Sequence, residues 1–443
     1  MRLTIDKLIY GGDGLARLPA DSNAPGKSVF LPYVLAGENV EASILEQKPG
    51  FARAQAEKIL QPSPDRVAPP CPYFGNCGGC HYQHSSYEHQ LEIKKNILRE
   101  TLRRTAKLEL SCDVEVHPSP PWNYRNRSRL QVRTTPSFAA GYFRTRSHDL
   151  LSVQECPISS PLINRGIAAL WESGKAAKLP TGVHEIEFFA NADDTMMLVE
   201  LSCAPDARRA AIRAWAEEFQ SSVPAIAGIT ALRGTTSKGQ ISQEKLLTVG
   251  SGSLTYQTQR AAYRVSAGSF FQVNRYLTDE LIRLVTDGQS GEIALDLYAG
   301  VGLFSTALAC DFHHTFSVES SQTSAVDLSY NLPRNAEAVQ ASTEQYLARL
   351  AEGRVRKGDS LPHRTHTPDL AVIDPPRSGL GERVARKLAT LGAPRVVYVS
   401  CDPSTLARDL AILLSGGYRI GQMHLIDLFP QTYHLETVVH LGR

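Results

Sequence analysis

Over the first sixty residues apolar side chains come in short runs separated by glycine, proline and aspartate: Leu3 to Leu8, Ser28 to Pro32, Asn39 to Leu45 and Ala52 to Leu60, with a Gly11-Gly-Asp-Gly14 turn after the first. Short strands punctuated in this way predict a small TRAM- or OB-like β-barrel. Gln61 to Pro70 then carries four prolines in ten residues, which disfavours helix and central strand and predicts a linker. From Cys71 to Val265 the pattern mixes helix (Tyr87 to Arg104, Pro205 to Phe219) with strand and predicts a central α+β domain. From residue 266 to 443 continuous apolar strands alternate with helices. Ile293 to Leu297 leads to a glycine loop and a helix from Leu303 to Ala309, and Thr315 to Glu319 follows. Leu370 to Asp374 comes next, then Arg395 to Ser400 with a helix from Thr405 to Leu414. Buried strands alternating with helices predict a mostly parallel, doubly wound, Rossmann-like sheet. The expectation is therefore a multidomain α/β protein divided at 1–60, 71–265 and 266–443.

Composition narrows the function classes. At 443 residues with 42% apolar and 21% charged side chains the chain is an ordinary globular one, without repeats or low-complexity tracts. The opening Met-Arg-Leu-Thr-Ile-Asp-Lys lacks the apolar centre of a signal peptide, and no window reaches the roughly 18 apolar residues of a membrane span. A cytoplasmic monomer with no membrane partner is expected. The formal net charge of +2 does not announce a nucleic-acid partner, so local charge carries that question. Between Val116 and His148 there is no acidic residue, while Arg125, Arg127, Arg129, Arg133, Arg144 and Arg146 interleave with Trp122, Tyr124, Tyr142 and Phe143. Arginine with aromatics suits phosphate pairing and base stacking. Arg125, Arg127 and Arg129 are expected on one face of a strand, as RNA contacts.

Candidate chemistry clusters after the apolar strands. Asp296-Leu-Tyr-Ala-Gly-Val-Gly302 runs from strand into glycine turn, and Glu319 ends the next strand at the interval where an acid meets ribose hydroxyls. Asp374-Pro-Pro-Arg377 and Ser400-Cys-Asp-Pro403 each follow a strand, which puts them where open α/β sheets bind ligands. Asp402 as N-cap and Pro403 as first helical residue would set Cys401 beside a helix N-terminus, and the positive helix end is expected to favour a nucleophilic thiolate. Glu436, opening the last apolar strand, could accept a proton in the same crevice. Eight cysteines in a chain without an export signal are not expected to form a disulfide framework, and the tight cluster of Cys71, Cys77 and Cys80 points to a metal or cluster site. Cys112, Cys203 and Cys310 match no motif and are expected to pack.

Phe270-Phe-Gln-Val-Asn274, Asp296 to Gly302, Asp374-Pro-Pro-Arg377, Ser400-Cys-Asp-Pro403 and His434-Leu-Glu436 together resemble the RNA 5-methyluridine (uracil-C5) methyltransferases, in order and in spacing. The resemblance extends upstream, where Cys71, Cys77, Cys80 and the later Cys156-Pro157 are similar to the family's iron-sulfur site and residues 1–60 to its TRAM domain. It implies S-adenosylmethionine as methyl donor, contacted with the target base by Gln272, Tyr298, Glu319 and Asp374, with Ser342 as a further polar contact. It implies Cys401 as nucleophile at C6 of uracil, Glu436 as the base that removes the C5 proton, and Arg377 beside Asp374 orienting the uracil edge. Cys71, Cys77, Cys80 and Cys156 would hold a [4Fe-4S] cluster, although four thiolates also suit zinc. Leu303 departs from relatives that carry an asparagine there. The barrel and the cysteine site together resemble the bacterial 23S rRNA group, with tRNA as the alternative substrate. A non-catalytic RNA-binding assembly factor is the competing class, and the presence of both Cys401 and Glu436 weighs against it. Amino-methyltransferases need no cysteine nucleophile and place an aromatic where Arg377 stands.

Overall fold

The computed structural model describes residues 1–18, 26–237, 240–352 and 367–443. Arg2–Leu8, Asp13–Arg17, Ser28–Pro32, Asn39–Gln47 and Phe51–Gln61 close into a barrel. Alternation along the strands turns Leu3, Ile5, Val29, Leu31, Val40, Ala42, Ala52 and Ala54 inward. Asp13–Arg17, which begins inside the expected turn, is an additional strand. Its Gly14 is required because a Cβ there would lie 2.4 Å from Val34 Cγ2.

The C-terminal half forms the expected doubly wound sheet. Its eight strands run in the order Ala336–Gln340, Phe312–Glu319, Gly291–Leu297, Leu370–Ile373, Arg395–Ser400, Glu436–Gly442, Arg419–Ile426 and Val114–His117. Glu436–Gly442 is antiparallel to both its neighbours. Strand order reverses between Gly291–Leu297 and Leu370–Ile373, so a crevice opens at their carboxyl ends. The helix expected after the glycine loop shrinks to Ser305–Leu308, because Asp311 N–H already turns back to the Leu308 carbonyl before the next strand.

Two elements of the 71–265 segment pack away from the central domain. The helix Tyr87–Thr101 buries Ile93, Ile97 and Leu98, and the strand Val114–His117 buries Val114, in the core that holds Leu425, Val439 and Leu441. A composition boundary near residue 71 therefore differs from the packing boundary, because the helix's apolar stripe matches the sheet face and not its sequence neighbours. The central domain proper is a seven-stranded sheet, from Gln240–Gly250 at one edge to Leu150–Ser152 at the other, packed by the helices Pro161–Lys175 and Arg209–Ser222. Cys203 is buried in that core, whereas Cys310, against expectation, is exposed on the turn after Leu308. Among the described residues no helix is long and apolar enough to cross a membrane.

A buried polar joint ties these parts together. Lys94 Nζ donates to Asp427 Oδ1 at 2.6 Å and to the Phe429 carbonyl at 2.9 Å, Tyr87 Oη donates to Asp427 Oδ2 at 2.9 Å, and both charged side chains are 1% exposed. Removing one partner of such a pair strands a charge out of water. Asp427→Asn should lower the stability of the C-terminal body by about 3–5 kcal/mol, read as a fall in its unfolding midpoint. Lys94→Met combined with Asp427→Leu should recover much of the loss.

Candidate active site

Sheet register alone brings the reactive motifs together. Leu297 pairs with Ile373 and with Val318, so Tyr298 lies level with Asp374 on one side and with Glu319 on the other. Ser400 pairs with Thr437 in the antiparallel ladder, so Cys401 and Glu436 are the next pair beyond its end. Tyr298, Gly300 and Gly302 have φ of 66°, 57° and 95°. That left-handed path folds the loop back over the strand ends, and at Gly302 a Cβ would approach Leu328 Cδ1 to 3.0 Å. Gly300 N–H donates to Glu319 Oε2 at 2.9 Å and Ser321 N–H to Oε1 at 2.6 Å, which orients the carboxylate beside the loop. One cleft is lined by Phe270, Gln272, Tyr298, Leu303, Phe304 and Asp374 among others. Phe271 is buried while its neighbour Phe270 is 60% exposed at this cleft.

The electrostatics of the crevice are those of crowded acids. Burial pushes Asp296 up to about 7, one of its oxygens being bonded to Ser305 Oγ and the other, among the described residues, having no partner. Burial and the neighbouring Asp296 raise Asp374, and burial and Asp374 raise Glu436, with Arg377 pulling Glu436 back down. An arrangement this short of cations favours a positively charged ligand. Cys401 differs from expectation. Asp402 does cap the helix Pro403–Ser415, accepting from Ser404 and Thr405 N–H at 2.9 and 3.0 Å. Those bonds occupy the helix-end donors. Burial, then Glu436 and Asp374, push the Cys401 thiol up to about 12, opposed by Arg377. The free site thus holds a protonated thiol.

The four cysteines singled out by sequence, Cys71, Cys77, Cys80 and Cys156, line one cavity with Tyr142 and Arg125. Burial, then the neighbouring Cys156 and Cys71, raise Cys77 to about 11, with Arg125 opposing them. Arg125 Nε is buried and, among the described residues, unpartnered. Arg125 therefore faces the sulfurs and not solvent, which corrects its assignment to an RNA face. Arg127 is likewise turned inward, whereas Arg129, also paired with acids, keeps half of its side chain in solvent. Arg127 donates to the Ser269 carbonyl at 2.8 Å, lies 3.5 Å from Glu187 and stacks over Phe189. Arg129 donates to Glu187 at 2.8 Å and pairs with Glu185 at 3.3 Å. The acids come from the adjacent strand Val183–Ala190. The exposed basic residues of the segment are Arg129 and Arg133 on the strand and Arg144, Arg146 and His148 on the turn.

Ser342, expected at the cofactor, accepts from Gln345 N–H at 3.2 Å and donates its N–H to Gln345 Oε1 at 3.2 Å. That is a capping box at the start of the helix Thr343–Glu352, and Ser342 does not line the cleft. Two groups at the site escape sequence reasoning. Tyr10 reaches from the barrel towards Asp402 and packs edge-on against Tyr433 at 5.5 Å. His434 lies 3.4 Å from Arg377 Nη2, and burial with Arg377 pushes it down to about 3. Only the His434-Leu-Glu436 motif signalled the second, and nothing in the pattern signalled the first.

The profile of the tRNA (uracil-5-)-methyltransferase family matches residues 86–443, and that of the TRAM domain matches residues 1–56. An Aquifex aeolicus protein described as an uncharacterized RNA methyltransferase is 34% identical over 450 residues, covering 100% of this chain and 98% of its own. A Streptomyces avermitilis protein of the same description is 32% identical, covering 99% and 96%. Among solved structures, Pyrococcus abyssi tRNA (uracil-54, C5)-methyltransferase, in complex with S-adenosyl-L-homocysteine, superposes over 100% of both chains with a TM-score of 0.73 at 24% identity. That likeness shows a shared fold.

A thiol at about 12 should alkylate slowly at neutral pH. Labelling of Cys401 by iodoacetamide, followed on its own peptide by mass spectrometry, should rise about tenfold per pH unit from 7 to 9 without a plateau. Arg377→Met removes the opposing positive charge and should slow labelling roughly several-fold at pH 8. A plateau below pH 8 would show a thiolate already formed.

Proposed function

This chain belongs to the tRNA (uracil-5-)-methyltransferase family, and we propose that it methylates C5 of one uridine in RNA, of 23S rRNA, with Cys401 as nucleophile and Glu436 as base. The observation that carries this reading is the register pairing of Cys401 with Glu436 at the end of the antiparallel ladder, level with the crevice where Asp374 stands. Gln272, Tyr298, Glu319 and Asp374 would hold S-adenosylmethionine, whose sulfonium suits the acid-rich cleft. When bound it supplies an electrophilic methyl group. C5 of uracil is unreactive while conjugated, so Cys401 Sγ would bond to C6 with its proton passing to Asp374, and the electron pair of the broken C5–C6 double bond would make C5 the carbon that takes the methyl group. Arg377 and Asp374 orient the uracil edge, and exposed Phe270 offers a face on which a base drawn from its stack can rest. After methyl transfer Glu436 takes the C5 proton, and the Cys401–C6 bond breaks to restore the double bond and the thiol site.

Cys71, Cys77, Cys80 and Cys156 would hold one [4Fe-4S] cluster. The thiols surround a cavity, which a single zinc ion at about 2.3 Å from each sulfur would leave unfilled, and the buried Arg125 guanidinium offsets the charge of four thiolates. The choice of rRNA rests on the resemblance of barrel plus cysteine site to the rRNA-modifying group. A tRNA uridine is the second reading, favoured by the description of the family profile and of the Pyrococcus abyssi enzyme.

Mapping 5-methyluridine in rRNA and tRNA from cells with and without the gene decides the substrate, and a site that disappears from tRNA alone overturns the rRNA reading. On the RNA so identified, Cys401→Ala should give no product and no protein–RNA adduct. Glu436→Gln should attack and methylate but stall, with turnover down about 10²- to 10⁴-fold. Its labelled RNA should run as a shifted band on a denaturing gel, absent from the double variant. Normal turnover by Glu436→Gln would remove the base assignment. Anaerobically purified protein should be brown, with about four iron atoms per chain. Colourless protein with stoichiometric zinc would refute the cluster.

A further inference from the structure

At the edge of the eight-stranded sheet, away from the crevice, Val114–His117 runs parallel to Arg419–Ile426 with Glu115 opposite His424. His117, two residues beyond Glu115, projects from the same face. His117 Nε2 is 3.1 Å from His424 Nδ1, and the Glu115 carboxylate lies 3.3 Å from His424 Nδ1 and 3.8 Å from His117 Nε2. Around a tetrahedral ion with bonds of about 2.0–2.1 Å, ligand atoms stand about 3.3–3.4 Å apart. The observed 3.1, 3.3 and 3.8 Å bracket that spacing, and one ligand atom from each side chain lies within 4.8 Å of the others.

Their surroundings prepare them as ligands. His117 Nδ1 is 2.7 Å from Glu280 Oε1, and Glu280 is itself gripped by Arg283 at 2.6 and 2.7 Å. A carboxylate behind a histidine holds the proton on Nδ1 and leaves the Nε2 lone pair facing forward. His424 has a side chain only 9% exposed and is wedged between His117 and His440. His440 packs edge-on against His424 at 5.6 Å and is itself bonded to the Leu284 carbonyl, closing one wall. Glu115 has a side chain 66% exposed, which leaves the remaining position to solvent.

We propose that Glu115, His117 and His424 bind a divalent transition-metal ion, with Zn²⁺ the best match to two imidazoles, one carboxylate and a water. Ligation requires only that the single proton of His424 move from Nδ1 to Nε2. The ion staples the edge strand, which the chain supplies from its cysteine-bearing segment, to the strand that leads into Asp427. This site is independent of the methyl-transfer chemistry and of what the four cysteines hold.

The test uses full-length protein with its cysteine site filled, equilibrated with Zn²⁺ and then with Co²⁺. Wild type should take up one equivalent more than His117→Ala/His424→Ala. The Co²⁺ form of that equivalent should show visible d–d bands without the sulfur-to-metal charge transfer that cysteine ligation produces. Glu280→Gln should weaken binding about 10- to 100-fold and Glu115→Gln at least as much, and Zn²⁺ should raise the Tm of wild type but not of Glu115→Gln. Glu115 is on the surface, so its variant decides the matter if the double histidine variant does not fold. Equal metal content in wild type and double variant, thiolate charge transfer for every equivalent, or an unchanged Kd in Glu115→Gln would each overturn the proposal.

Discussion

The loop from Asp427 to Tyr433 is the constraint on which the molecule is assembled. Its polar groups are buried and so must be satisfied from within the protein, and the partners come from every other part of the chain. Lys94 and Gln90 reach it from the helix Tyr87–Thr101, and His81 and Tyr82 donate their N–H groups to Gln431 O at 2.8 and 3.0 Å from the end of the cysteine loop. Tyr124 Oη donates to the Pro430 carbonyl from the edge of the central domain, and Asn274 Nδ2 donates to the Leu428 carbonyl from the segment that carries Gln272. The loop then delivers His434 and Glu436. The cysteine loop, the Phe270–Asn274 segment and the terminal strand are thus positioned against one another by a shared set of buried hydrogen bonds, which is why the Lys94–Asp427 pair is worth its desolvation.

Within that frame the crevice is built to be unfinished. Asp296, Asp374 and Glu436 compete for protons because they are crowded and desolvated, and Cys401 is held as a thiol by the same field. A cationic ligand relieves the crowding, and a bound pyrimidine replaces the water that the acids lack. If Cys401 is the proposed nucleophile, its activation would belong to the filled site and not to an open helix end.

The strand-end motifs were legible because each follows a run of apolar residues that could only be a buried strand, and in a doubly wound sheet those strands end at one crevice. The glycines were legible too, since a turn with φ near 57° and 95° at Gly300 and Gly302 tolerates little else. What escaped depended on partners far away in sequence. Arg127 read as part of a basic face until Glu187 arrives on the neighbouring strand. Cys401 read as a thiolate because its cap was visible and the burial that desolvates it was not. Ser342 had a local reason of its own, the helix it starts. Nothing in the alternation of Val114–His117 shows that it completes a sheet whose other strands begin at Gly291.

The insertion of Glu436–Gly442 between Arg395–Ser400 and Arg419–Ile426 has a consequence for biogenesis. The sheet cannot close around its neighbours until this strand has been synthesised, and Tyr10 and Lys94 must wait for Tyr433 and Asp427, partners more than three hundred residues downstream. Contacts of such long range are slow to form. The barrel can fold early on the ribosome by itself, whereas Arg395–Ser400 and Arg419–Ile426 spend that interval with open edges. Catalytic competence is therefore acquired in the last step of folding, and a nascent chain stalled before Glu436 presents unpaired strand edges to whatever chaperone or protease reaches it first.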